Sequence, residues 1–234
     1  MGDLRVYIVD TMDASFAENR EALVRSLSPY RAAKLEKFTG SADDAHAGQV
    51  KAANYNLCLA AGLVTDIGLK TYGLREKDMS YGFTGRGKPV FLNRPDIRFN
   101  ISHSGQYAVA VFSQTYDPGI DIERCSRISN RIIYSFFTEG EREMILSQPD
   151  EDSRRRMFGR IWTIREAFMK ATGMGMATPR DGFETVMKDG RLGIRQSCAE
   201  GEFGTCEIMP LGDYCISVVA GPVLAGQEQA GYRV

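Results

Sequence analysis

The sequence predicts an α+β fold of two similar α/β halves, related by a pseudo-two-fold axis, with the active site in the cleft between them. Two internal resemblances predict this duplication. Residues 105–111 match residues 212–218 in size and polarity at each position. Residues 59–63 are similar to residues 170–174, each at the end of a helical pattern. Both pairs occur in the same order at nearly the same offset, about half the chain, which is typical of a repeated structural unit.

The composition is that of a globular protein large enough for two halves. The chain has 234 residues, of which 43% are apolar and 25% charged, and these values are close to the average for such proteins. The expected halves are residues 1–117 and 118–234. A net charge of −1 indicates no nucleic-acid partner, because such proteins usually carry a basic excess. The longest apolar stretches, residues 107–112 and 216–225, are much shorter than the roughly 20 residues that a membrane-spanning helix needs, so no membrane association is expected.

The cysteines indicate a reducing compartment. Their number is odd and no two form a C-x-x-C pair, which is typical of reduced, mostly buried thiols in a cytoplasmic protein. A structural zinc site is not favoured, because His46 and His103 are the two histidines available to supplement the thiols. A chain that contains both halves of a duplicated unit is expected to be a monomer.

The first half is predicted to begin with a strand and to continue with helices. The run Val-Tyr-Ile-Val favours a strand, and apolar residues at helical spacing predict the helices that follow. Pro29 ends the first of them, and Thr39-Gly40 ends the second, basic helix. The predicted elements are a strand at 6–9, helices at 14–27, 31–38 and 45–63, and a turn-rich segment at 74–98.

The second half is predicted to combine a hairpin, a strand and three helices. Thr138 followed by Glu141 forms a capping box at a helix start, and Gly173 marks a helix end. Residues 150–156 are expected to be a solvated loop or the start of a helix. The predicted elements are strands at 97–101, 107–112 and 119–123, helices at 131–137, 139–147 and 158–172, and short strands in the remainder.

Two carboxylates share one face of the predicted strand at 119–123. Asp121 and Glu123 alternate with Ile120 and Ile122, and the side chains of a strand point alternately to its two faces. One interpretation is a half-exposed strand with a polar outer face. The other is a Mg²⁺ site, because this ion binds one or two carboxylates together with substrate phosphates.

The helix at 158–172 also carries charged residues on one face. Glu166 and Lys170 are four residues apart, with the acid first, which is the arrangement of an ordinary surface ion pair. Trp162 lies on the same face one turn earlier, so this stripe is not purely a solvated one. The pair is therefore also a candidate for a functional site.

A polar segment joins the two strands of the predicted hairpin. Ser102, His103 and Ser104 are expected in a tight turn, whose backbone N–H groups and side chains suit an anion such as phosphate, although a plain polar turn fits the pattern as well. A Ser–His hydrolase is not favoured, because adjacent residues seldom direct their side chains at each other and the chain has no G-x-S-x-G motif.

Residues 82–89 have the glycine and lysine spacing of a phosphate-binding P-loop. Pro89 stands where that motif needs a Ser or Thr, and proline also lacks a backbone N–H donor. A Walker-type nucleotide hydrolase is therefore excluded. Lys88 remains a candidate phosphate contact.

Taken in order, these motifs resemble the signature series of the 4′-phosphopantetheinyl transferases, in the larger single-chain class that modifies acyl and peptidyl carrier proteins. The motifs are residues 87–89, 99–105, 119–123 and 162–170. The resemblance implies transfer of the phosphopantetheine arm of coenzyme A to a carrier serine, with adenosine 3′,5′-bisphosphate as the second product. It also implies two α/β halves, with contacts to the coenzyme A nucleotide in the first and metal and catalytic residues in the second.

The resemblance further implies a role for each site residue. Asp121, Glu123 and Glu166 would hold Mg²⁺, or Mn²⁺, against the coenzyme A pyrophosphate. Glu166 would take the serine proton, and Lys170 and Asp121 complete the implied catalytic set. The implied coenzyme A contacts are Arg31, Lys34, Lys88, Ser102, His103 and Lys170.

Two departures from the family pattern bear on these roles. Arg165 stands where the family usually has Lys, and residues 47–49 read Ala-Gly-Gln where the family often offers a hydroxyl or basic contact. Two alternative functions stay open at this point. One is a non-catalytic module that binds coenzyme A or a carrier, and the other is a Mg²⁺-dependent phosphohydrolase.

Overall fold

The computed structural model describes residues 2–39, 45–126, 128 and 130–223. This part of the chain has the α+β fold that the sequence predicts. The helices are α1 (Ala14–Glu18), α2 (Arg20–Arg25), α3 (Pro29–Glu36), α4 (Ala45–Lys70), α5 (Asn130–Phe136), α6 (Glu139–Leu146) and α7 (Glu151–Thr172). The strands are β1 (Arg5–Asp10), β2 (Tyr81–Phe83), β3 (Pro89–Phe91), β4 (Arg98–Ser104), β5 (Tyr107–Ser113), β6 (Asp117–Arg124), β7 (Phe183–Lys188), β8 (Arg191–Gln196), β9 (Gly204–Leu211) and β10 (Tyr214–Gly221).

Two antiparallel three-stranded sheets form the frame of the molecule. Their strand orders are β1-β5-β4 and β6-β10-β9, and β2-β3 and β7-β8 are separate hairpins. The long helix α4 packs on β5 and β1, and the long helix α7 packs on β6 and β10. Each sheet is therefore covered by one long helix. The two-fold relation of the halves and their boundary after residue 117 stay predictions.

Three apolar clusters hold these layers together. One contains residues of the first half and lies between α4 and its sheet, and another lies between α7 and the elements of the second half. The third joins the two sheets, with Val109 and Val111 of β5 packed with Ile120 and Ile122 of β6. Burial of such side chains stabilises by about 1.5–3 kcal/mol each. This shared cluster fixes the sheets to each other and places β4 beside β6.

Two predicted helices of the first half differ most from their expected bounds. The helix predicted at 14–27 is divided at Asn19, whose φ and ψ of −97° and 9° are not helical. The helix predicted to end near Gly62 continues to Lys70. Gly62 serves packing instead, since a Cβ there would lie 2.3 Å from a methyl carbon of Leu27. Glycine inside a helix is costly but tolerated where another element approaches closely. Gly40, the predicted end of the second helix, lies outside the described residues.

The polar segment of the predicted hairpin is strand rather than turn. β4 extends through Ser104, and the turn consists of Gly105 and Gln106. Gly105 has a φ of 57°, a left-handed conformation that glycine adopts without steric cost. The expectation that Ser102 and His103 lie in an anion-binding turn is therefore wrong. As neighbours on a strand, they point to opposite faces.

The predicted signals at the helix ends of the second half are confirmed. Thr138 and Glu141 form the capping box of α6. Residues 150–156 begin a helix, because Asp150 caps α7 by accepting a hydrogen bond from the Ser153 backbone. Gly173 ends α7 in the left-handed conformation with a φ of 67°. α7 is thus held at both ends, which fixes the side chains that it presents to β6.

The cysteines are more exposed than the sequence suggests. Cys58 is buried, Cys206 is exposed and the other three are half-buried. Among the described residues, no helix is both long enough and apolar enough to cross a lipid bilayer. Residues 224–225, at the end of one apolar stretch of the sequence, lie outside the described part.

Candidate active site

β6 places its two acidic residues on one face, as predicted. Ile120 and Ile122 are buried in the cluster between the two sheets. Asp121, on the opposite face, is 6% exposed, and Glu123 is half-buried. The face is therefore not a solvated outer surface. The helix α7 and the strand β4 cover this face of β6.

Gly119 allows β6 to lie against the backbone of α7. A Cβ at Gly119 would lie 2.0 Å from the carbonyl oxygen of Ala167 and 2.5 Å from the amide nitrogen of Ala171. Such distances are too short for any side chain. The close approach brings Asp121 to the helix face that carries Lys170.

Asp121, Lys170 and Ser102 form one hydrogen-bonded cluster. The Lys170 Nζ donates to Asp121 Oδ1 at 2.6 Å and to Ser102 Oγ at 2.9 Å. The Ser102 hydroxyl donates to the same Asp121 oxygen at 2.7 Å. A charge-assisted network of this kind is stronger than neutral hydrogen bonds. It joins β4, β6 and α7, three elements that are far apart in the sequence.

Alternate residues of β4 bind β6. Asn100 Oδ1 accepts from the backbone N–H of Ile120 at 3.0 Å, and Ser104 Oγ accepts from that of Arg124 at 3.3 Å. With Ser102 between them, these side chains share one face of β4. This period-two pattern was present in the sequence at 100, 102 and 104. It was missed because the segment was taken for a turn.

Glu166 and Glu123 lie near enough to Asp121 to be affected by its charge. Burial raises the pKa of both glutamates, and the negative charge of Asp121 raises it further. Carboxylate oxygens are the ligands that Mg²⁺ prefers, and a cation would relieve this repulsion, so the donor set fits the ion in its chemistry. Among the described residues, no three acidic, histidine or cysteine side chains are spaced to hold a metal. In this structure the carboxylate of Asp121 is paired with the ammonium group of Lys170.

Two adjoining cavities contain most of the predicted site residues. The carboxylate cavity, of about 280 Å³, is lined by Lys88, Asn100, Glu166 and Lys170 among others. The basic cavity, of about 200 Å³, is lined by Arg31, Lys34 and His103 among others. Both cavities are also lined by Pro89 and Ile101. The two therefore meet between the β2–β3 hairpin and β4.

Arg31 is held rigidly in the wall of the basic cavity. Its side chain is 6% exposed and lies 3.8 Å from Glu76 Oε1, and it packs against the Tyr30 and Tyr81 rings at 5.6 Å. Glu76 is itself fully buried and accepts hydrogen bonds from Ser28 and Tyr81. The Arg31 Nε, which is the atom that lies near Glu76, has no hydrogen-bond partner in the part of the chain that the structure describes. This atom is buried against Glu76, so a ligand in the cavity cannot reach it, and Arg31 contributes its positive charge to the cavity wall.

Lys34 and His103 complete the basic cavity from α3 and β4. Desolvation lowers the pKa of His103, and the charges of Lys34 and Lys170 lower it further. Burial and the charge of Arg31 lower the pKa of Lys34. Arg31 and Lys34 thus face one space together with the His103 imidazole, which favours an anion there.

Lys88 is bound inside the protein. Its Nζ donates to the carbonyl oxygen of Ala171 at 2.9 Å and lies 3.7 Å from Asp117 Oδ1. Burial lowers the pKa of Lys88, and Asp117 opposes that effect. The side chain lines the carboxylate cavity, but its charge is already shared with Asp117. Arg86, on the same hairpin, also lines this cavity and was not singled out from the sequence.

Arg165 faces away from the site, although it precedes Glu166. It donates to both carboxylate oxygens of Glu141, at 2.9 and 2.7 Å, and lies over the Phe183 ring at 4.1 Å. Ala167 and Phe168, the next residues along α7, are fully buried. The departure from the family's Lys therefore concerns the packing of α7 and not a contact in either cavity.

Comparison with known proteins identifies the family of this chain. Residues 117–219 match the family model of the 4′-phosphopantetheinyl transferase superfamily. The chain is also 31% identical to 4′-phosphopantetheinyl transferase Sfp of Bacillus subtilis (strain 168) over 178 residues, which is 76% of this chain and 74% of that protein. The chain belongs to the 4′-phosphopantetheinyl transferase superfamily. A further phosphopantetheinyl transferase from Bacillus subtilis, ffp, is 30% identical over the same shares, which places the chain in the larger class.

Other proteins match smaller parts of the chain. The human L-aminoadipate-semialdehyde dehydrogenase-phosphopantetheinyl transferase is 38% identical over 113 residues, 43% of this chain and 35% of that protein. The crystal structure of Thermotoga maritima holo-[acyl-carrier-protein] synthase aligns over 45% of this chain and 62% of that chain, with 18% identity and a TM-score of 0.39.

Proposed function

We propose that this phosphopantetheinyl transferase moves the 4′-phosphopantetheine arm of coenzyme A to a serine of an acyl or peptidyl carrier protein. The proposed reaction depends on Mg²⁺ and releases adenosine 3′,5′-bisphosphate. The observation that carries the proposal is the junction of the basic and carboxylate cavities at Pro89 and Ile101. Coenzyme A carries a phosphate on its ribose and a pyrophosphate beyond it, so it has two anionic groups for the two cavities.

The basic cavity suits the ribose phosphate of coenzyme A. Arg31 places its positive charge in a rigid wall of this cavity, and Lys34 and His103 face the same space. Phosphate is bound well by charged donors of this kind. We assign Arg31, Lys34 and His103 to this phosphate, which leaves the pyrophosphate for the carboxylate cavity.

The carboxylate cavity suits the pyrophosphate and the reacting serine. Of the three acidic residues, Glu166 lines this cavity, Asp121 is buried and bonded to Lys170, and Glu123 lines a separate cavity with Trp162. Together they would hold Mg²⁺, which when bound would supply positive charge against the pyrophosphate oxygens. Lys170 and Ser102 hold Asp121 in place through hydrogen bonds, and Lys170 also lines the cavity. Phosphoryl transfer requires mainly positioning and charge neutralisation from a protein. Lys88 would act indirectly, by holding the hairpin against the end of α7.

Glu166 is the proposed base for the serine hydroxyl. It lies on α7 one turn before Lys170 and lines the carboxylate cavity. A positioned general base contributes about 10²–10⁴-fold to such a reaction. The ion pair of Arg165 with Glu141 on the opposite side of α7 keeps the helix from rotating.

Mass spectrometry of an apo carrier protein tests the proposal. With wild-type protein, coenzyme A and Mg²⁺, the carrier is expected to gain the mass of one phosphopantetheine arm. Glu166→Gln should lose this activity by about 10²-fold or more, whereas Glu151→Gln, an exposed site on the same helix, should keep it. No gain on any of several apo carriers would contradict the transfer.

The same assay separates the two alternative functions. A phosphohydrolase would release free phosphopantetheine from coenzyme A without a carrier, and a non-catalytic module would bind coenzyme A without any change in mass. A monomeric state and a cytoplasmic location complete the proposal. Light scattering during size-exclusion chromatography tests the first, and a dimer would contradict it.

A further inference from the structure

Cys125 and Cys215 lie in contact with each other near the end of β6. Their sulfur atoms are 2.8 Å apart, and the residues are 90 positions apart in the sequence. Cys215 is the cross-strand partner of Glu123, and the Cys125 N–H donates to the carbonyl oxygen of Asp213 at 2.7 Å. Cys125 and Cys215 are therefore diagonal neighbours on adjacent strands, close enough for side-chain contact.

The helix α7 leaves space for both sulfur atoms. A Cβ at Gly159 would lie 2.2 Å from the Sγ of Cys125 and 3.0 Å from the Sγ of Cys215. Any other residue at Gly159 would push the two thiols from their places. The contact between the sulfurs is thus built by three elements, β6, β10 and α7.

Both thiols can be reached from solvent. Each is half-buried, and both line a cavity of about 370 Å³ on the side of the molecule formed by Arg156, Arg160 and Tyr214. This volume is within the range of pockets that bind small molecules. None of the lining residues belongs to the basic or carboxylate cavity, so the thiols are accessible while those cavities are filled.

We propose that Cys125 and Cys215 form a redox-active dithiol site, which a small disulfide such as glutathione disulfide oxidises to an intramolecular disulfide. One cysteine sulfur attacks a sulfur of glutathione disulfide, which breaks that bond and releases one glutathione. The second cysteine sulfur then attacks the mixed disulfide and releases the other glutathione. The two thiol protons go to the two released glutathione sulfurs, so one disulfide is reduced as the other forms.

The disulfide would close a long loop beside the proposed active site. The 90 positions between the two cysteines include α5, α6 and α7, and a cross-link of this length reduces the entropy of the unfolded chain. It would raise the Tm by about 10 °C. It would also fasten the end of β6, two residues after Glu123, to β10. The proposal is independent of the transferase activity.

Oxidation of the full-length protein with glutathione disulfide tests the proposal. Peptide mapping by mass spectrometry is expected to find one cross-linked peptide pair that contains Cys125 and Cys215, together with a rise in Tm that dithiothreitol reverses. Cys206→Ser, which removes the exposed cysteine, should form the same cross-link. Cys125→Ser and Cys215→Ser should each carry a glutathione adduct on the remaining thiol and show no rise in Tm.

Three results would overturn the proposal. They are retention of both thiols after exposure to glutathione disulfide, separate glutathione adducts on Cys125 and Cys215 of the wild type, and a cross-link to another cysteine. Circular dichroism shows whether each variant is folded. If both serine variants are unfolded, the wild-type peptide map still decides between a cross-link and its absence.

Discussion

Replacing Arg165 with Met removes one partner of a buried ion pair and leaves the other. The Arg165 side chain is 6% exposed and Glu141 is fully buried, and two charge-assisted hydrogen bonds of 2.7 and 2.9 Å join them. Breaking such a pair from one side costs about 3–5 kcal/mol. Glu141 keeps its hydrogen bonds from the Thr185 and Thr138 backbones, so we expect a loss near the lower end, about 3 kcal/mol.

Chemical denaturation followed by circular dichroism measures this loss. A change of about 3 kcal/mol in the free energy of unfolding corresponds to a Tm about 6–12 °C lower for a chain of this length. Arg180→Met is the matched control, because its pair with Asp181 is exposed and such pairs contribute about 0–1 kcal/mol. The double variant Arg165→Met with Glu141→Gln should be more stable than the single variant, since no buried charge is left alone.

The conservative variant Arg165→Lys separates charge from geometry. Lysine keeps the positive charge but lacks the planar fork that contacts both oxygens of Glu141. We expect a stability between the wild type and the Met variant. An Arg165→Met protein within about 1 kcal/mol of the wild type would refute the idea that this pair anchors α7.

Three further predictions follow from the site. Gly119→Ala should lower the free energy of unfolding, measured in urea, by about 1–3 kcal/mol, because its Cβ would meet the α7 backbone. Gly193→Ala on β8, where a Cβ has open space, is the control and should not have this effect. Equal stabilities of the two variants would contradict the close approach of β6 to α7. His103 has a lowered pKa and is mostly neutral near pH 7, so a bound phosphate should raise the pKa and cause proton uptake. Calorimetry in two buffers measures that uptake, and uptake unchanged in His103→Gln would exclude this residue as its source. Chelation of divalent ions should abolish the transfer activity, and added Mg²⁺ should restore it. Full activity in excess chelator would show that transfer does not depend on a divalent ion.

The elements that carry the acidic residues could be predicted from the sequence. Asp121 and Glu123 alternate with isoleucines, a pattern that is typical of a strand. The helix α7 has a capping residue before it and Gly173 after it. Both signals are local. The face of each element that carries these side chains follows from such signals, whereas the pairing of Lys170 with Asp121 does not.

The partners across the site could not be predicted from local patterns. Arg165 and Glu166 are adjacent in the sequence, yet one is bound to Glu141 in the core and the other faces the cavity. Lys88 forms an ion pair with Asp117, and this pairing depends on how the β2–β3 hairpin packs on α7. Gly62 resembles a helix end by composition, but it lies in the middle of α4 because Leu27 packs there. Each of these outcomes depends on tertiary contacts, and the secondary-structure propensities of single residues do not reflect such contacts.

We propose that Asp121, Glu123 and Glu166 bind a single divalent ion next to the coenzyme A pyrophosphate. A crystal structure of the protein with coenzyme A and Mn²⁺ would test this proposal, because the anomalous signal locates the metal. We expect one strong peak in contact with carboxylate oxygens of all three residues and with the pyrophosphate. A peak that Glu166 does not contact, or a bound coenzyme A with no metal beside Asp121, would contradict it.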